Sequence, residues 1–209
     1  MTNILIVDDH TVVRQGLKQI LQEEYSEALF GEATSGNEAL EKIRNNPWDI
    51  VIMDITMPGK SGLEILKQVK SESIKTPILF LSMHSENQYA IRILKAGAAG
   101  YLTKESASTE LINATKRILE GRKYINASLA EKLANNLEID TDKPIYELIS
   151  DRELQVLCLI ASGKTVSDIA QELCLSVATI STYRTRMLEK MNMKSNAELT
   201  HYAIKQGLV

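Results

Sequence analysis

The first 121 residues alternate short, continuous apolar runs with segments whose apolar residues recur at helical spacing. Continuous runs are typical of strands covered on both faces of a parallel sheet. Five strand–helix units in this length predict a doubly wound α/β domain with a five-stranded parallel sheet. The strands are predicted at 4–7, 28–33, 50–53, 77–81 and 100–102, and the helices near 11–23, 36–45, 62–71, 86–97 and 107–121.

The pattern changes after residue 121. Residues 122–147 predict a polar linker that contains one short amphipathic helix. Capping-box spacing, a serine followed three residues later by glutamate, occurs twice beyond it, at Ser150–Glu153 and Ser195–Glu198. The sequence therefore predicts a second, smaller, all-α domain over 148–209. Its four helices are predicted near 151–162, 166–173, 177–192 and 196–206.

Composition excludes several classes of protein. Hydrophobic residues make up 44% and charged residues 24% of the chain, which is typical of a globular protein and not of a disordered or fibrous one. No apolar run approaches the roughly 18 residues of a membrane span, and the N-terminus lacks the basic start of a signal peptide. Cys158 and Cys174 are too few for a disulfide framework and lack metal-ligand spacing. We therefore expect a cytoplasmic protein in which both cysteines pack as small apolar residues.

Polar side chains stand where the predicted strands end. Asp8 and Asp9 follow the first strand, Asp54 the third, and Lys104 the fifth, while Ser82 closes the fourth. Because the carboxyl ends of parallel strands meet at one edge of a sheet, we expect these side chains to converge. Clustered carboxylates suit a hard cation such as Mg²⁺, and a hydroxyl with an ammonium suits an anionic phosphoryl group. Any single aspartate here could instead be an ordinary helix-cap or turn residue.

These residues and their neighbours resemble the receiver domain of bacterial two-component response regulators, a flavodoxin-like fold, over residues 1–121. The matching segments are 6–10, 53–62, 81–82 and 96–104. The resemblance implies that Asp54 accepts a phosphoryl group from a sensor histidine kinase. The other roles that it implies are Mg²⁺ ligation by Asp8, Asp9, Asp54 and the backbone carbonyl of Thr56, binding of phosphoryl oxygens by Lys104 and Ser82, and an aromatic switch at Tyr101.

Two positions near this pocket, Thr56 and Glu105, differ in how far they follow the family pattern. The side chain of Thr56, two residues beyond Asp54, is expected to tune the access of hydrolytic water. The family usually has proline after the lysine, whereas this chain has Glu105. A non-proline cis peptide costs about 2.5–4 kcal/mol. The sequence therefore does not decide whether the peptide bond from Lys104 to Glu105 is cis, as is usual in that loop of the family.

The second and third helices of the C-terminal domain have a helix-turn-helix layout. Their inward faces are predicted to comprise Ile169, Ala170, Leu173, Val177, Ile180, Met187, Leu188 and Met191. The other face of the third helix is small, hydroxylated and basic, which suits a DNA major groove. Taken alone, it could equally be the solvated face of an amphipathic helix. The segments 149–157, 160–164, 168–170, 175–176 and 179–183 resemble the LuxR-type DNA-binding domain, so the whole chain resembles the NarL/FixJ class of response regulators.

The basic and hydroxylated residues fall into two predicted groups. The groove-facing group is Ser181, Thr182, Thr185 and Arg186, with Tyr183 beside it, and the phosphate-contacting group is Lys164, Arg184, Lys190 and Lys194. Since the family commonly has Lys and His at the positions of Ser181 and Tyr183, its base preference does not transfer. The formal net charge of −3 arises within residues 1–121, so it does not argue against DNA binding.

The sequence thus predicts a phosphorylation-controlled transcription regulator and not an enzyme with an external substrate. The expected partners are a sensor histidine kinase, double-stranded promoter DNA, RNA polymerase and a second copy of the chain, with no membrane. The fourth helix, through Ala197, Thr200, Ala203 and Ile204, is a candidate dimer surface or a simple packing helix. Two rivals stay open: a Mg²⁺-dependent phosphohydrolase with Asp54 as nucleophile, and a receiver joined to a protein-binding adaptor.

Overall fold

The computed structural model describes residues 1–82, 88–126, 129–131 and 148–209. The chain divides into two compact units, Met1–Leu129 and Ala130–Val209. Most of the short helix predicted within 122–147 lies outside the described residues. No helix in the described ranges is both long and apolar enough to cross a bilayer.

The first unit is a five-stranded parallel sheet in the order β2-β1-β3-β4-β5, as the sequence predicted. Its strands are β1 Asn3–Val7, β2 Leu29–Ala33, β3 Ile50–Asp54, β4 Ile78–Ser82 and β5 Gly100–Thr103. Its helices are α1 Thr11–Glu24, α2 Gly36–Asn45, α3 Gly62–Ser71, α4 Gln88–Lys95 and α5 Ala107–Leu119. Right-handed crossovers with this strand order place α1 and α5 on one face and α2, α3 and α4 on the other.

The apolar runs are continuous because the central strands are covered on both faces. Every residue of β3 and β4 is buried, and Ile4, Ile52 and Leu111 belong to the core between the sheet and helices α1 and α5. At the sheet edge, Trp48 packs on Gly31, where a Cβ would come within 2.2 Å of the indole ring. Only glycine leaves room for the indole ring at this position of β2.

The second unit comprises four helices in its described part. They are α6 Asp151–Ala161, α7 Val166–Glu172, α8 Val177–Lys190 and α9 Asn196–Lys205. A complete capping box starts α6 at Ser150, as predicted. At Ser195 the prediction is half right: its side chain caps α9, but the Glu198 carboxylate accepts from the N–H of Lys194 and not from that of Ser195. The reciprocal bond is displaced by one residue.

Two predictions of burial in this unit are wrong. Ile180, Met187 and Met191 face inward, but Val177 is 51% exposed because it is the first residue of α8, at the edge of the helix packing. Cys158 is buried as expected, whereas Cys174 is exposed. Cys174 lies in the turn between α7 and α8 with a φ of 51°, so its backbone turns the chain while its thiol points away from the core.

Candidate functional site

Two buried carboxylates share one lysine at the carboxyl edge of the sheet. Lys104 Nζ donates to Asp8 Oδ2 and to Asp54 Oδ2, at 2.7 Å each. Asp8 is 1% and Asp54 4% exposed. β1 and β3 are neighbours in the sheet, which brings the two aspartates together, and the long lysine side chain reaches them from beyond β5. The predicted convergence of these residues is therefore observed.

Backbone N–H groups hold the remaining carboxylate oxygens. The N–H of His10 donates to Asp8 Oδ1 at 2.8 Å, and the N–H of Thr56 donates to Asp54 Oδ1 at 3.2 Å. The N–H of Asp8 itself donates to the carbonyl of Ala33 on β2. Each carboxylate is thus oriented by the turn that follows its own strand.

The burial of this pocket changes the acidity of its groups. Burial raises the pKa of Asp54 to about 6, and Asp8 adds to this effect while Lys104 opposes it. Burial alone would lower the pKa of Lys104, but its ionic contacts with Asp54 and Asp8 outweigh that effect and raise it. The lysine therefore stays charged at neutral pH, and Asp54 is mostly ionised there.

The donor set fits a small divalent cation. Single ligand atoms of Asp8, Asp9, His10 and Asp54 all lie within 4.8 Å of one another. Asp9 Oδ1 is buried and accepts no hydrogen bond from any described residue, although His10 Nδ1 lies 3.0 Å away. Carboxylate oxygens with an unused buried lone pair are what Mg²⁺ prefers, whereas the His10 side chain is 67% exposed and is not needed for that ligation.

The other residues predicted for this site lie around the pocket. Ser82 ends β4 and is buried, and its carbonyl accepts from the Lys104 N–H at 2.8 Å. Thr56 is half-buried, while Tyr101 on β5 is fully buried. No described peptide bond is cis, so the bond from Lys104 to Glu105 is trans.

Sequence analysis missed Arg14, whose Nη1 donates to the carbonyl of Asp8 at 2.8 Å, and its partner Glu32 on β2. The available signal was spacing. Arg14 stands three residues before Leu17 and seven before Leu21 on the buried face of α1. A cation on such a face needs a buried partner.

The third helix of the C-terminal unit, α8, presents a polar outer face. Ser181, Thr182, Thr185 and Arg186 are all exposed, as expected of groove-facing residues. Thr182 Oγ1 donates to the carbonyl of Ala178 at 2.9 Å. Tyr183 and Arg184 are half-buried at the margin of this face.

Three of the four predicted phosphate contacts have partners inside the unit. Lys190 Nζ donates to Glu153 Oε2 at 2.7 Å, and this carboxylate is almost completely buried. Lys164 pairs with Glu172, and Arg184 Nε donates to Asn196 Oδ1. Within the described part of the chain, Lys194 and Arg186 form no such side-chain pair. The sequence could not show these pairings, since each partner lies 8 to 37 residues away.

The last helix carries a shallow open groove of about 470 Å³. It is lined by Met193, Ala197, Glu198, His201, Tyr202 and Lys205. Of the residues predicted for a dimer surface, Ala197 and Ile204 are exposed, whereas Ala203 is buried. Ala203 therefore packs inside the unit and is not part of that surface.

Comparison with known proteins gives two family matches and full-length relatives. The family model for the response regulator receiver domain matches residues 4–116, and that for bacterial regulatory proteins of the luxR family matches residues 147–203. The response regulator UvrY of Escherichia coli K12 is 37% identical, with 100% of this chain and 96% of UvrY covered. The response regulator GacA of Pseudomonas syringae pv. syringae is 34% identical, with 100% and 98% covered.

A solved structure is similar over almost the full length of the chain. It is that of RcsB from Salmonella enterica serovar Typhimurium, bound to promoter rprA in the presence of the phosphomimetic BeF₃⁻. The sequence identity is 25%, the TM-score 0.65, and the match covers 97% of this chain and 98% of RcsB.

Proposed function

The chain belongs to the two-component response regulators that join a receiver domain to a LuxR-type DNA-binding domain, and from this we propose that Asp54 is the phosphoacceptor that controls DNA binding by α8. Such proteins are signalling and DNA-binding proteins. The observation that carries the proposal is the contact of buried Asp54 with Lys104, beside Asp8. We place the receiver at 1–121, the linker at 122–147 and the DNA-binding domain at 148–209.

The proposed reaction transfers a phosphoryl group from a phosphohistidine of a sensor histidine kinase. A carboxylate oxygen of Asp54 forms the new O–P bond while the N–P bond breaks and the imidazole keeps the electron pair. Asp8, Asp9, Asp54 and the Thr56 carbonyl would hold Mg²⁺, which supplies positive charge that offsets the charge of the transferring group. Lys104 can turn from Asp8 to a phosphoryl oxygen, because its ammonium already lies between the two carboxylates.

The response to phosphorylation would start at the neighbouring strand ends. We propose that Ser82 binds a phosphoryl oxygen, and that the shift of its backbone is passed to β5, which pairs with β4. Tyr101 is already fully buried, so its switch would exchange one packed arrangement for another. Thr56 would limit the approach of hydrolytic water to the phosphorylated Asp54, which sets the rate of self-dephosphorylation.

The output would be a dimer on paired DNA half-sites. A two-fold dimer matches the symmetry of such sites, and the exposed Ala197 and Ile204 of α9 are available for the dimer contact. Among the proposed phosphate contacts, Lys194 needs no rearrangement, whereas Lys164, Arg184 and Lys190 would have to leave their present partners. Arg186 is exposed and is proposed to face the groove. Promoter-bound RNA polymerase is a further proposed partner.

A small phosphodonor such as acetyl phosphate, with Mg²⁺, tests the proposal on the full chain. Wild type should gain one phosphoryl group by mass, and Asp54→Asn should gain none. Asp49→Asn is the matched control, since Asp49 is an exposed aspartate at the opposite end of β3 that accepts from the N–H of Asn3. It should behave as wild type.

Oligomer size and affinity for promoter DNA are measured on the same samples. Absence of phosphate on wild type would refute Asp54 as phosphoacceptor. Phosphate uptake without any change in oligomer size or DNA affinity would refute the coupling between the two domains. Unchanged DNA affinity after Arg186→Met and Lys194→Met together would refute α8 as the DNA-contacting helix. Absence of DNA affinity in wild type, phosphorylated or not, would favour the protein-binding adaptor instead.

A further inference from the structure

A buried guanidinium joins the turn after β1 to the neighbouring strand β2. The Arg14 side chain on α1 is 9% exposed. Its Nη1 donates to the backbone carbonyl of Asp8 at 2.8 Å, and its Nε donates to Glu32 Oε2 at 3.1 Å. A third contact runs from Nη2 to Thr11 Oγ1 at 3.3 Å. The arginine therefore spans from the metal-binding turn to β2.

The carbonyl that Arg14 binds receives no bond from the helix that follows it. The first bond of α1 runs from the Arg14 N–H to the carbonyl of His10, two residues beyond Asp8. Leaving a buried carbonyl without a hydrogen-bond donor costs free energy. The charged guanidinium of Arg14 supplies that donor. The Asp8 N–H donates to the carbonyl of Ala33 on β2. Asp8 is therefore linked to β2 twice, directly through its N–H and, through Arg14 and Glu32, by its carbonyl.

Glu32 balances the charge that Arg14 brings close to the pocket. Its other carboxylate oxygen accepts from Lys18 Nζ at 3.3 Å. The hydrogen bond from Arg14 is the largest of the effects that hold the pKa of Glu32 below its usual range, so Glu32 is ionised at neutral pH. Without this carboxylate, an uncompensated cation would stand beside the turn of Asp8 and Asp9 and repel a divalent metal.

We propose that Arg14 and Glu32 are positioning residues that preset Asp8 and Asp9 for Mg²⁺. This inference rests on the proposed phosphoacceptor function of the same pocket. Removing a group that orients metal ligands without touching the metal typically changes metal affinity by about 10–100-fold. The pair acts on affinity and touches neither the phosphoryl group nor Asp54. Saturating Mg²⁺ should therefore restore the rate of phosphorylation in its variants.

Mg²⁺ affinity of the full chain is measured by calorimetry, apart from any phosphorylation. Arg14→Met should weaken Mg²⁺ binding at least tenfold. Glu32→Gln should weaken it less, and more at low than at high salt, because the effect of an uncompensated Arg14 is electrostatic. The double variant should bind no more weakly than Arg14→Met, since Glu32 then has no arginine to balance.

The matched control is the Arg44–Glu72 pair, which joins α2 to α3 on the surface through Nε and Oε2 at 2.8 Å. Arg44→Met should leave Mg²⁺ affinity within twofold of wild type. The plateau rate of phosphorylation by acetyl phosphate at saturating Mg²⁺ should stay within threefold in all variants, with only the half-saturating Mg²⁺ concentration raised.

Wild-type Mg²⁺ affinity in a folded Arg14→Met would overturn the inference. Fluorescence of Trp48, the single tryptophan, reports folding of this unit. If Arg14→Met does not fold, the Glu32→Gln variant provides the test, because it keeps the hydrogen bond from Arg14 to the Asp8 carbonyl. Unchanged Mg²⁺ affinity of Glu32→Gln at low salt would then refute the inference. Wild type that binds Mg²⁺ but takes no phosphoryl group would refute the proposed function alone.

Discussion

Charged side chains are used in opposite ways at the strand ends of the first unit and on α8. In the pocket, Asp8 and Asp54 are buried and share Lys104. On α8, Arg186 is exposed while Lys190 reaches back to the buried Glu153. Burial forces each pocket charge into one arrangement, whereas an exposed basic residue can serve DNA or its own domain. The first site thus stores electrostatic free energy, whereas the second keeps basic side chains available.

The largest effect on stability is expected from neutralising Asp54. A carboxyl whose pKa is about 6 when folded, against about 3.9 in an unfolded chain, holds its proton more tightly when folded. Its stabilising contribution is complete below the unfolded value and is lost as the pH rises through about 6. At pH 7.5 the ionised form therefore costs stability, and Asp54→Asn should raise the free energy of unfolding by about 3 kcal/mol.

Urea unfolding followed by Trp48 fluorescence in EDTA measures this difference. The gain of Asp54→Asn over wild type should shrink as the pH is lowered from 7.5 and should vanish near pH 4. Asp49→Asn, at an exposed position, should show no comparable gain. A gain that does not depend on pH would mean that ionised Asp54 does not destabilise the folded pocket. The contrast between buried pocket charges and exposed charges on α8 would then fail.

The next largest effect concerns the two kinds of basic residue on α8. Burial tends to raise the pKa of Glu153, but hydrogen bonds from Lys190 and Ser150 outweigh it and lower that pKa. Lys190→Met leaves this carboxylate without its cation. The expected cost is about 1–2 kcal/mol, because Lys190 is 41% exposed and water screens part of the interaction. The cost should fade as acidic pH protonates Glu153.

Arg186→Met is the matched comparison. It should change stability by less than about 0.5 kcal/mol but weaken binding to promoter DNA and relax the preference for the base pair that it contacts. Chemical unfolding followed by far-ultraviolet circular dichroism and DNA titrations at several salt concentrations separate the two effects. If Lys190→Met lowers DNA affinity and leaves stability unchanged, Lys190 belongs to the DNA surface and its pairing with Glu153 is incidental.

The same contrast explains how much the sequence could predict. Asp8, Asp54 and Lys104 were found because strand ends in a parallel sheet have a fixed meeting place, so sequence position determined spatial position. The pairing of Lys190 with Glu153 was missed because it depends on how α6 packs against α8. Arg14 was missed because it lies on the buried face of a helix, whereas the predicted site residues were those at the strand ends. The exposure of Val177 reflects its place at the start of α8, where helical spacing no longer implies burial.

Cys174 gives the smallest effect and shows a limit of a different kind. Hydropathy predicted that it packs inward, but its backbone has a φ of 51° and its side chain is exposed. Side chains other than Gly, Asn and Asp are strained in that region. Cys174→Asn should therefore stabilise the helical unit by roughly 0.5–1 kcal/mol without loss of packing.

Asn192, in the turn after α8, provides the reciprocal test, because it has a φ of 53° and is also exposed. Asn192→Ala should destabilise the unit by a similar amount, as measured by chemical unfolding. DNA affinity should change little in Cys174→Asn, since the exposed outer face of α8 is untouched. A gain in stability together with a loss of DNA affinity would show that the strained turn sets the angle at which α8 meets the DNA groove. The helical unit would then also store strain, and the contrast with the buried pocket would be less sharp.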